Sequence, residues 1–137
     1  MLRFVLVILF LLNLPVFTQE KPEQAAEKSA SDWLALVDAG KYGESWDSAA
    51  ETFKSAITKE KWVESLTSVR NQTGKFKSRK LKSAQYTENL PNAPAGKYVV
   101  IQYDSSFDIG PAVETVAPTQ EKDGSWKVSG YFVKPAQ

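Results

Sequence analysis

The chain is 137 residues long, room for one domain, and its 42% hydrophobic and 12% aromatic content supports a packed core rather than disorder. Seventeen basic against sixteen acidic residues leave a formal charge of +1, so the broad positive field that draws nucleic acid is lacking. The absence of cysteine and histidine excludes disulfides, thiol nucleophiles, thiolate metal sites and histidine general bases. No catalytic residue, metal site or cofactor is assigned.

Met1-Leu2-Arg3 precedes an unbroken apolar run from Phe4 to Leu12, and Pro15 follows. A short positive start, an apolar run and a helix-breaking proline match a secretory signal peptide over residues 1–18. The run falls short of the roughly 20 apolar residues that a membrane span needs. Export to the periplasm or cell envelope is expected; an uncleaved anchor, with membrane association through this segment only, is the alternative. Residues 19–28 are polar and charged and read as a linker into a single domain over residues 29–134.

Ala26, Ala30, Trp33, Leu34 and Val37 recur at the spacing of one helical face, and Gly40 can close that helix in the left-handed position. A second helix is expected from Gly43, with Trp46, Ala49, Ala50 and Phe53 as its stripe. Thr58 fits the N-cap of a third, which buries Trp62, Leu66 and Val69 and stops at Gly74. Short amphipathic helices cannot bury their stripes on one another alone, so they need a sheet to cover.

The second half supplies it. Lys75 to Leu90 reads as an edge strand, with Lys75, Lys77 and Arg79 on one face and Lys80 and Lys82 on the other. Charge of that kind discourages edge-to-edge pairing; a basic patch for an anionic partner is the less favoured reading. Leu90 to Gly96 is a turn by composition, and Tyr98 to Tyr103 a strand with Val99, Ile101 and Tyr103 on one face. Asp104 to Pro111 reads as a loop, Val113 to Ala117 as a strand, and Asp123-Gly124 as a two-residue hairpin turn. On the last strand Trp126, Val128, Gly130 and Phe132 are expected to share a face, opposite Lys127, Ser129, Tyr131 and Val133. The fold class is α+β, with N-terminal helices packed on a curved antiparallel β-sheet.

These residues resemble the family known as domain of unknown function 4019. The resemblance runs from Trp33-Leu34-Ala35-Leu36-Val37-Asp38-Ala39-Gly40-Lys41-Tyr42 through Trp46, Phe53-Lys54, Trp62, Arg70, Gly74 and Arg79. It resumes at Pro94 to Tyr98, Tyr103, Phe107 and Glu114-Thr115-Val116, and closes with Asp123-Gly124-Ser125-Trp126 to Gly130-Tyr131-Phe132. It implies an exported bacterial protein of unassigned function. The order of elements also resembles the nuclear transport factor two-like, or cystatin-like, superfamily, which implies a curved sheet around a helix and a conical pocket. That fold hosts isomerases, dehydratases and binding modules alike, so it implies no activity.

Enzymes of that superfamily class use a buried carboxylate for proton transfer, which singles out Asp38 and Glu114. A base of this kind needs an apolar pocket to raise its pKa, and a structural role, such as capping a turn or pairing with Arg70 or Arg79, is the favoured one. Trp33, Trp46, Trp62 and Trp126 read as core rather than as an aromatic box, since each lies on the apolar stripe of its element. Tyr42, Tyr86, Tyr103 and Tyr131, amphipathic with a hydroxyl handle, are the ligand-binding candidates. The leading expectation is a non-enzymatic binding or interaction module whose partner is an envelope protein or a small apolar ligand. The alternatives are a carboxylate-dependent isomerase or dehydratase and a self-associating homodimer.

Overall fold

A computed structural model describes Pro15 and residues 19–137; the expected signal peptide lies outside the described residues. Helix α1 (Pro22–Asp38) opens the fold, followed by α2 (Tyr42–Asp47), α3 (Glu51–Ala56) and α4 (Lys59–Thr73). Four strands complete it: β1 (Phe76–Thr87), β2 (Tyr98–Phe107), β3 (Gly110–Gln120) and β4 (Trp126–Pro135). They form one antiparallel sheet in the order β1-β2-β3-β4, open at both edges, with the helices against one face. The α+β class expected from the sequence is what forms.

Helix α1 starts inside the segment read as a linker, because Pro22 fits the first turn, where its missing N–H is no loss. Its buried residues are the expected stripe, Ala26, Ala30, Trp33, Leu34 and Val37. At its end Gly40, at φ +76°, donates to Val37 O while Lys41 N reaches Leu36 O, the paired bonds of a Schellman close. The single helix expected from Gly43 is instead α2 and α3. Ala50 N leaves the helical path and donates to Val128 O of β4 at 2.8 Å, which breaks the segment at Ala49–Ala50. Thr58 caps α4 as expected, its hydroxyl accepting from Lys61 N.

Gly74 ends α4 at φ +71° and ψ −160°, a region open essentially to glycine alone. A Cβ there would sit 2.6 Å from Cβ of Asp108, whose carboxylate is held by Lys75 N. Gly40 is left-handed too, but nothing lies within 4 Å of its Cβ position. Gly74→Ala is therefore expected to cost about 2–3 kcal/mol or more and Gly40→Ala only about 1. Equal losses in urea denaturation would contradict the crowding argument.

Bulges decide which side chains turn inward. β1 shifts register between Phe76 and Ser78 and again between Leu81 and Ser83. The first shift moves Arg79 off the exposed face it was expected to share with Lys77 and turns it under the helices, 4.2 Å over the Phe76 ring. A further shift sets Val116 opposite Tyr131 but Pro118 opposite Val128, which gives β4 one extra residue at Ser129-Gly130. Alternation is reset there. Tyr131 points into the core, and Phe132, expected to share the face of Val128, is 63% exposed.

Asp104 to Pro111, expected to be a loop, is mostly strand. β2 and β3 continue to a tight hairpin with Phe107 opposite Gly110, because Ser105 and Phe107 keep the inward phase of Tyr103 and are buried. The core joins the α1 stripe, Trp62 and Leu66 to Val99, Ile101, Tyr103, Val116 and Val128.

Candidate functional site

The end of α1 and the end of α4 converge over the sheet on a buried charge network. Asp38 closes α1, where a carboxylate faces the unfavourable end of the helix dipole, and two guanidiniums compensate it. Arg79 of β1 donates to both Asp38 oxygens, at 2.8 and 3.2 Å, and Arg70 of α4 lies 3.1 Å from Oδ1. On its other side Arg79 Nε and Nη2 each lie 2.8 Å from Oε1 of Glu114, which β3 buries completely. Ser105 of β2 also donates to Oε1, and the Tyr131 hydroxyl of β4 donates to Oε2, both at 2.5 Å. Arg70 Nη2 reaches the Tyr131 hydroxyl at 3.2 Å.

Burial works against the charge on Arg79, yet its hydrogen bonds to Asp38 and the charges of Glu114 and Asp38 outweigh it and hold its pKa above the ordinary value. Burial, reinforced by the Glu114 charge, pushes the Tyr131 hydroxyl far above the usual tyrosine range and keeps it a donor. Two carboxylates and two guanidiniums balance. Their oxygens already accept charge-assisted bonds, so neither Asp38 nor Glu114 is placed as a free general base. Among the described residues, Arg70 Nε is the buried side-chain polar atom without a hydrogen-bond partner.

Of the four tryptophans, Trp33 and Trp62 are buried in the core, and Trp46 and Trp126 are only partly buried against it. Trp33 and Trp62 lie 6.0 Å apart and both bond Ser45, through its carbonyl at 2.8 Å and its hydroxyl at 2.9 Å. Trp46 donates to Ile57 O, and Trp126 packs against the core near the Asp123-Gly124 turn. Gly130 sits at the bulge beside Ala117.

The four candidate tyrosines do not meet. Tyr42 lines a polar cavity with Asp38, Arg70 and Lys75. Tyr86 lies at the far end of β1, 37% exposed and bonded to Glu88, and Tyr103 is buried and bonded to Glu27 at 3.3 Å. Tyr131 alone borders an apolar groove. That groove, about 580 Å³, runs between Trp62, Leu66 and Val69 of α4 and Tyr131, Phe132 and Val133 of β4.

Ser105 was not singled out in the sequence, and Ser45 stood out only within the Ser45-Trp46 pair of the family resemblance. The inward phase Tyr103, Ser105, Phe107 was the available signal for Ser105, and nothing local marks Ser45 as the partner of two indoles. Among the described residues, no group of three acidic side chains is arranged to hold a metal ion.

These features define an α+β domain in which helices cover one face of an open sheet and are keyed to it by an internal arginine–carboxylate network. The chain belongs to the family described as "Protein of unknown function (DUF4019)", whose model matches residues 29–131. A solved structure of a protein from Catenulispora acidiphila is similar in fold, with a TM-score of 0.53 at 12% identity over 81% of this chain and 88% of that one. No curated protein matches the chain.

Proposed function

We propose that this protein is an exported, non-enzymatic binding module that takes an apolar ligand or partner segment in the groove between α4 and β4. The observation that carries the reading is the groove itself, apolar on both walls and walled on one side by Tyr131, whose hydroxyl is tied to the charge network. The pairing of Asp38 and Glu114 with Arg70 and Arg79 favours binding over proton transfer. Export rests on the apolar run of residues 4–12 behind Arg3, and the cystatin-like assignment on the order of helices and strands.

The test is fluorescence of an anilinonaphthalene sulfonate probe. The native protein should bind it in the micromolar range, and Val69→Glu, at a half-buried groove position, should abolish the signal while leaving the melting temperature within a few degrees. A native protein that leaves the probe dark at high micromolar concentration refutes the proposal. For export, intact mass of the protein from its cell envelope should start downstream of Thr18; a chain retaining Met1 rejects cleavage.

A further inference from the structure

The edge of β4 is closed at one end and open at the other. Ala50 N covers it at Val128 O. Further along, Ala136 N donates to Pro111 O at 3.0 Å, and antiparallel alternation from that pair turns the N–H and C=O of Phe132 and Lys134 toward β3. The backbone N–H and C=O of Tyr131 and Val133 therefore point away from the sheet, and among the described residues they have no hydrogen-bond partner. This open stretch lies along the apolar groove, facing Trp62, Leu66 and Val69.

Two donor–acceptor pairs, two residues apart on an extended backbone, are the complement of another extended backbone. A compact apolar molecule would fill the groove and leave them unpaired. Among the described residues, the one charged residue lining the groove, Lys134, is a cation. β4 itself reads WKVSGYFVKP, with two lysines and no acid, so the same strand of a second copy would bring Lys134 no counter-charge.

We propose that this edge accepts an extended segment of a partner protein as a fifth strand, with apolar side chains at alternate positions in the groove and a carboxylate near Lys134. The inference rests on the binding reading above and names the occupant of that same groove. Main-chain bonds to Tyr131 and Val133 supply the register, and the α4 wall selects the side chains.

The probe is an acetylated hexapeptide of alternating valine and threonine ending in aspartate, titrated into isotope-labelled protein. Binding should slow hydrogen exchange at the Tyr131 and Val133 amides. Methylating one valine nitrogen of the peptide keeps every side chain, removes one donor, and should weaken binding about tenfold. Lys134→Glu should weaken the aspartate peptide and favour one ending in lysine. Equal affinity of the methylated and parent peptides overturns strand addition and leaves the apolar-binding proposal standing. Failure of both peptide and naphthalene probe overturns both. A dimer that protects Tyr131 and Val133 without peptide makes a second copy the occupant and overturns the partner assignment.

Discussion

Glu114→Ala is expected to lower stability by about 3–5 kcal/mol, the scale for removing one partner from a buried ion pair. Glu114 is wholly inaccessible and accepts bonds from Arg79, Ser105 and Tyr131. Its loss leaves two guanidiniums, 7% and 14% exposed as side chains, with the single charge of Asp38 between them. The uncompensated charge dominates, so replacing Arg79 and Glu114 together by methionine and leucine should recover much of the loss. Because the pair is shielded from solvent, added salt should barely change the single-variant effect. Equilibrium urea unfolding of the single and double variants is the measurement. An Ala variant within about 1 kcal/mol of the native protein would show that the network contributes no net stability.

Trp33→Ala comes next, with an expected loss of about 3–5 kcal/mol out of the roughly 5–15 that a small domain holds. The Trp33 ring is 3% exposed and touches Trp62 and, edge-on at 5.5 Å, Tyr131. Truncation opens a cavity at the centre of the fold and strips the buried Ser45 carbonyl of its indole donor. Trp126→Ala, by contrast, removes a ring that is only partly buried and should cost clearly less. Thermal unfolding of both variants decides it, and a larger loss at Trp126 would invert this account of the core.

The helical faces were legible because a period of three to four residues is a local property, and the α1 stripe and the Thr58 cap appear where that period places them. Strand membership was legible where apolar residues alternate, but not over Asp104 to Pro111, which reads as a loop and extends β2 and β3. The phase along the strands was not legible. Arg79 turns inward and Phe132 outward only because extra residues are inserted at Lys77 and at Ser129-Gly130, and a bulge is a property of two paired strands. The split between α2 and α3 has a similar origin, since Ala50 serves a strand far along the chain. That Asp38 and Glu114 could pair with Arg70 or Arg79 was one of the structural roles their residue types allowed. That one Ser105 and one Tyr131 complete the network depended on register, and the groove on where α4 comes to lie beside β4.

The charge network takes one residue from each of α1, α4, β1, β2, β3 and β4. None of the elements that carry its charges, α1, α4, β1 and β3, can detach by itself without stranding an ionised group away from water. Partial opening of the sheet or of either long helix therefore approaches the cost of losing the whole fold. Unfolding should be concerted, with amide exchange at the Asp38, Arg70 and Glu114 ends of their elements governed by one common opening event. The end of β4 beyond Tyr131 and the turn at Asp123-Gly124 lie outside the network, so their opening would break none of its bonds.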